Sequence, residues 1–176
     1  MKKVIVVVLT LLGFITQLQA EEIKLPALQY VSLVDSEEFY DKLKNSPLLA
    51  ELDKDNIGTP IRLLVTYRME NTAGGSAAGF TSAILAGGSL GILPVVTNND
   101  FVLSYEIKVQ NEVIASAEYR ENFTEATNIH SDKGFYGLDG EALTWAISTT
   151  DTFLSDMENN AELKALVEEY DYYFAE

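Results

Sequence analysis

The sequence predicts an α+β domain: a small, mainly antiparallel sheet of about four strands with helices on one face, plus an apolar Gly/Ala-rich insertion. Three observations predict it. Stretches beginning at Ile61 and Phe101 alternate apolar and polar residues with period two, the spacing of strands with one buried face. Other stretches set leucines and aromatics at helical spacing behind capping residues. Between Glu70 and Asp100 lie 29 residues, 71–99, without a single charge, in a chain that is 22 % charged. The order strand, helix, strand, hairpin, two helices favours helices covering one face of the sheet.

The chain opens on Met1-Lys2-Lys3, an apolar run from Val4 to Ile15, and Gln17-Leu18-Gln19-Ala20 ahead of Glu21-Glu22. This three-part layout is that of a bacterial secretion signal, cleaved after Ala20. Its apolar core of about 12 residues is short of the ~20 that a spanning helix needs. The expected organisation is therefore a signal peptide over 1–20 and one domain over 21–176, located in the periplasm or against the outer membrane. Losing Lys2 and Lys3 leaves 10 Lys plus Arg against 27 Asp plus Glu, a mature balance of −17. Such a charge argues against nucleic-acid phosphates and anionic lipid heads. The chain has no cysteine, which excludes disulfides, thiolate chemistry and Cys-ligated metals. No cofactor is indicated.

Ile23 to Val34 reads as the first strand, with Pro26 confining its start to an edge or an irregular lead-in. Asp35-x-x-Glu38 forms a capping-box pattern for a helix over 36–45, with Phe39, Tyr40 and Leu43 inward. Ser46-Pro47 suits an N-cap and first-turn proline opening a short turn through Leu48, Leu49 and Leu52. Asn56, Gly58 and Pro60 mark a loop. Ile61, Leu63, Val65, Tyr67 and Met69 then share one strand face, and Arg62, Thr66, Arg68 and Glu70 the other. Phe101 to Val109 and Val113 to Tyr119 form a hairpin turning at Asn111-Glu112, without the Asn-Gly that fixes a tight turn. Asp139 is the expected cap of a helix over 140–158, with Leu143, Ile147, Thr150, Leu154 and Met157 inward. Asn160 is the expected cap of a last helix carrying Leu163, Leu166, Val167 and Tyr170.

In the uncharged segment lie six of the chain's eleven glycines. Small residues recur at every fourth position: Gly75, Gly79, Ala83, Gly87, Gly91. On a helix this lays a groove along one side and lets another backbone approach closely, while Phe80, Ile84 and Leu85 meet lipid or protein. The pattern resembles the glycine zipper of membrane-associated envelope proteins. Ser89-Leu90-Gly91-Ile92-Leu93-Pro94, followed by a polar turn at Thr97-Asn98-Asn99 and a period-two strand, resembles a stretch of small bacterial envelope proteins and lipoproteins whose own role is obscure. Many of those carry a lipobox cysteine that this chain lacks, which puts an acyl anchor out of reach. Three readings of the segment stand: a membrane-spanning or membrane-dipping stretch over Phe80 to Val96, an element ordered by a protein partner or in a homo-oligomer, and a long Gly-rich connection under the domain's own helices.

Other motifs imitate chemistry. Gly87-Gly88-Ser89-Leu90-Gly91 is a literal G-x-S-x-G, with Asp100 and His130 following in hydrolase order, but it lacks the large parallel sheet that a nucleophile elbow needs. Gly74 to Gly79 imitates a phosphate loop with Phe80 in the lysine position. Asp53 to Gly58 starts like a calcium loop, with Ile57 and Leu64 failing as ligands. The tail Glu168 to Phe174 pairs acids with aromatics, Tyr170 and Phe174 at i, i+4. The expectation is a non-enzymatic envelope protein that associates with a membrane or an envelope protein. Its expected contacts are Gly75, Gly79, Phe80, Ala83, Ile84, Leu85, Gly87, Gly91 and Ile92. The alternative is a periplasmic hydrolase using Ser89.

Overall fold

Alternation builds the centre of the fold. A computed structural model describes residues 23–88, 95–127, 138 and 140–174; the expected signal peptide, Gly91, Ile92, Ser89, His130 and the Asp139 cap lie outside them. The described elements run β1 (Leu28–Ser32), α1 (Glu37–Lys44), β2 (Leu52–Asp53), β3 (Ile61–Asn71), α2 (Ala73–Gly88), β4 (Val95–Val109), β5 (Glu112–Thr127), α3 (Gly140–Glu158) and α4 (Ala161–Phe174). The α+β expectation is met by one five-stranded sheet in the order β2-β1-β3-β4-β5. Its right half is antiparallel, β3 on β4 and β4 on β5. Its left half is parallel, β1 lying between β2 and β3. The extra strand is two residues long, Leu52–Asp53, and too short to leave a periodic signal.

Register puts Leu63 beside Ile107 and Val65 beside Tyr105, with Ala115 and Ala117 following on β5. This face is the core. Phe39 of α1 stacks on Tyr105 with centroids 6.0 Å apart, Phe153 of α3 stacks on the same ring at 4.3 Å, and Trp145 meets Phe101 edge-on at 5.6 Å. Of these, the fully buried Phe39 and Phe153 each contribute about 1.5–3 kcal/mol. Tyr105 Oη bonds Thr149 Oγ1 at 2.7 Å, so this deep hydroxyl is satisfied. Lys42 Nζ of α1 donates to the Ile147 carbonyl and to Asp151, at 3.1 and 2.9 Å, holding α1 against α3.

Local sequence explains several differences from expectation. The N-cap of α1 is Ser36, whose Oγ accepts from the Phe39 N–H at 3.2 Å, and not Asp35; Phe39, Tyr40 and Leu43 are buried as their spacing implies. The inward stripe of α3 is Ala146, Thr149, Thr150, Phe153 and Met157. Leu143, Ile147 and Leu154 are only half-buried, because the aromatic Phe153, and not the leucines, fills the space above Tyr105. Asn160 does cap α4, accepting from the Leu163 N–H at 3.0 Å, but Tyr170 at its far end is exposed. The hairpin turns at Gln110-Asn111, one residue earlier than expected, with φ of 50° and 74°. Both residues therefore adopt the left-handed region that a tight primed turn requires. A register shift at Ile107/Lys108 takes up the offset.

Candidate association site

The uncharged segment is neither a long loop nor a continuous apolar span. Thr72 ends β3 as an N-cap: its Oγ1 accepts from the Gly75 N–H at 2.8 Å, and its carbonyl accepts from the Ser76 N–H at 2.9 Å. Helix α2 then runs 16 residues, about 24 Å at 1.5 Å per residue. It closes at Gly88, and by Val95 the chain is already strand, so Phe80 to Val96 does not form one helix. No helix among the described residues is long and apolar enough to cross a membrane. The turn expected at Thr97-Asn98-Asn99 lies inside β4, where Asn98 and Asn99 pair with Thr124 and Phe123.

Asn98 ties this helix to the sheet. Thr72 Oγ1 donates to its side-chain oxygen at 2.8 Å and lies 3.1 Å from its carbonyl oxygen. Its amide nitrogen donates to Asn122 Oδ1 at 2.6 Å and to Thr124 Oγ1 at 2.8 Å, on β5. Gly75, the first of the small residues, is buried against the Asn98 carbonyl, where a Cβ would overlap the oxygen. The close backbone approach expected of the small-residue series is thus made at Gly75, to this chain's own strand.

Beyond that anchor α2 has an exposed stretch. Ala83 is exposed, Ile84 is 60 % exposed and Leu85 56 %. Gly79, Phe80 and Gly87 belong to the same helix. No acid stands in its first turn and no base in its last, so no charged side chain of its own end turns answers its dipole. A helix apolar all round is ordinarily buried in protein or lipid. One lying flat on a membrane surface would need a charged face, which α2 lacks.

The sheet face opposite α1, α3 and α4 carries a polar ladder that alternation on β3 announced in part. Arg68 donates to Glu70 at 2.9 Å and forks onto both oxygens of Glu118 at 3.1 and 3.2 Å. Arg120 donates to Glu70 at 2.8 Å and to Asp100 at 3.1 Å, and Asn122 donates to Asp100 at 2.7 Å. Between the two arginines in register lies Val102, fully buried beneath them, covered by their aliphatic stems. These bonds hold the Glu70, Asp100 and Glu118 carboxyls below their ordinary range, Arg68 being the largest cause for Glu70 and Glu118, and Asn122 for Asp100. Sequence reads Asn98 as part of a turn and gives Asn122 and Arg120 no place in this ladder; the signal that reaches them is the same period-two alternation carried back to residue 98 and forward to 124.

The imitated chemistries look different in place. Asp100, the acid of the Ser89 reading, is bound to Arg120 and Asn122. Gly74 to Gly79 lie in α2. Asp53 accepts from the Asp55 N–H and pairs with Lys44 at 3.4 Å, and no group of three or more metal-ligating side chains occurs among the described residues. Tyr170 and Phe174 do touch, centroids 4.9 Å apart, with both rings exposed.

No protein-family model and no curated protein matches the chain. Among solved structures, the 2.35 Å crystal structure of a minor lipoprotein from Acinetobacter baumannii is similar over 78 % of this chain and 91 % of that one, with 13 % identity and a TM-score of 0.31. At that TM-score the likeness assigns neither fold nor function.

Proposed function

We propose that the protein is an exported, non-enzymatic component of the bacterial envelope that associates with a membrane or an envelope protein by burying α2. The observation that carries this reading is an uncharged helix, anchored at one end through Thr72, Gly75 and Asn98, with Ala83, Ile84 and Leu85 left exposed. Burying one exposed Ile or Leu is favourable by about 1.5–3 kcal/mol, enough for adjacent residues to bias a weak association. The export half of the reading rests on the layout of residues 1–20. Among the candidate contacts, Gly75 serves the anchor and Ile84 and Leu85 the contact itself.

Cell fractionation tests it. The wild type should stay with the envelope through a carbonate wash and leave with detergent, and Ile84→Asp/Leu85→Asp should shift it to the wash. Wild-type protein recovered wholly as a periplasmic monomer would refute the association. An ester-hydrolysing activity abolished by Ser89→Ala would restore the hydrolase alternative.

A further inference from the structure

We propose that two copies of this chain pair edge to edge through β5, about a two-fold axis at Tyr119. The proposal concerns a different surface from α2 and does not depend on the reading given to that helix. β5 is the last strand of the sheet and runs 16 residues. Among the described residues its backbone ladder runs to β4 alone; the Asn122 N–H also lies 3.3 Å from the neighbouring Glu121 carboxylate. A long edge is a template for another strand, which proteins blunt by shortening, proline, charge, bulges or a cover; the bulge of β5 lies at its start, opposite Ile107/Lys108, and leaves the strand regular from Ala115 onward. β5 contains no proline.

The charges on β5 select both the partner and the register. A two-fold axis normal to the sheet sets residues equidistant from its centre opposite each other and keeps every side chain on its own face. Centred on Tyr119, it places Glu118 of each copy opposite Arg120 of the other, twice over, on the polar face. Glu121 then opposes Ala117, and no like charges meet along Ala115 to Phe123, the part of the strand beyond its bulge. Registers centred on Glu118, Arg120 or Glu121 set a charge against its own copy. Those centred on Ala117 or Asn122 bring no opposite charges together. A centre at Ser116 leaves Glu121 to Thr127 unpaired. Glu118 and Arg120 are about half exposed and already end the ladder that crosses the sheet from Arg68 and Glu70. The second copy continues that ladder and extends the sheet to ten strands with both helical layers on one side. Main-chain bonds supply the affinity, and the charges reject the other registers.

Sedimentation of the intact mature protein, without detergent, should show a concentration-dependent dimer. Glu118→Arg and Arg120→Glu should each raise its dissociation constant at least about tenfold. Mixing the two variants should restore association, because each then faces the opposite charge. A second measurement reads register without disturbing the ladder: the chain has no cysteine, so Ala117→Cys mixed with Glu121→Cys should cross-link under mild oxidation, and neither should cross-link alone. A wild type that stays monomeric at every concentration overturns the proposal. So does cross-linking of either cysteine variant with itself, or a mixture that forms no heterodimer. Ile84→Asp/Leu85→Asp should leave the dimer intact.

Discussion

The guanidinium of Arg68 on β3 reaches across β4 to both carboxylate oxygens of Glu118 on β5, at 3.1 and 3.2 Å. Between its stem and that of Arg120 lies the buried Val102. Glu118 and Glu70 owe their lowered ionisation first to Arg68. The folded state therefore binds fewer protons than the unfolded one near their ordinary range. Their contribution is present above the unfolded value and is lost as pH falls through the folded one. Arg68→Met keeps an apolar stem over Val102 and removes the charge. As pH falls from about 5 to about 2, the wild type should lose Tm faster than Arg68→Met. Taking the difference between the two proteins cancels the general relief of self-repulsion as this acidic chain is protonated. Parallel Tm–pH curves would mean that the pair is not linked to stability.

Gly74 and Gly75 are neighbours with opposite expectations. A Cβ on Gly74 meets nothing within 4 Å, while one on Gly75 overlaps the Asn98 carbonyl. Gly74→Ala should stabilise by about 0.5–1 kcal/mol, through lower unfolded-state entropy and better helix propensity. Gly75→Ala should cost about 3 kcal/mol, because the obstacle is backbone in a strand and cannot swing away. Urea unfolding of both variants measures the contrast. Equal effects would mean that α2 does not dock on Asn98.

These two sites show what sequence made visible. Period-two alternation from Ile61 and from Phe101 marked the antiparallel half of the sheet, because one buried face writes itself into every second residue. The parallel half was half hidden: β2 is Leu52–Asp53, and two residues carry no period. Around Asn98 the strand continues through Thr97-Asn98-Asn99, a turn-like composition, because side-chain bonds to Thr72, Asn122 and Thr124 satisfy the asparagine within the ladder. Turn propensity gave way there to tertiary pairing. Gly75 belonged to a visible series of small residues, but sequence spacing could not say that its neighbour would be this chain's own β4. On α3 the leucines drew the stripe toward Leu143 and Leu154, whereas Phe153 stacks on Tyr105 at 4.3 Å.

Tyr30 offers a test of the buried left half. Its ring meets Tyr40 at 5.0 Å, and its hydroxyl is buried near Ser32 without a hydrogen bond of ordinary geometry among the described residues. Burial pushes its ionisation up to about 12. A buried hydroxyl without a partner loses its water bonds for no return. Tyr30→Phe should therefore leave Tm unchanged or raise it. A loss above about 1 kcal/mol in urea unfolding would reveal a bond made by the hydroxyl.

The hairpin turn supplies the last prediction. Gln110 and Asn111 sit at φ of 50° and 74° between strands ending at Val109 and starting at Glu112. Asparagine tolerates this region because its short side chain bonds locally; glutamine does not. Two-residue turns with both central residues left-handed favour Asn-Gly. Replacing Gln110 by Asn and Asn111 by Gly should thus relieve left-handed strain at both positions, which outweighs the added unfolded-state freedom of glycine, and raise stability by about 1 kcal/mol. The gain should persist in Arg68→Met, since the turn lies at the opposite end of β4 from the ladder and distant sites add. Chemical denaturation of the single, paired and combined variants would check it. A destabilised Asn-Gly turn would require a different loop conformation at Gln110-Asn111, and with it a different register for β5 against β4.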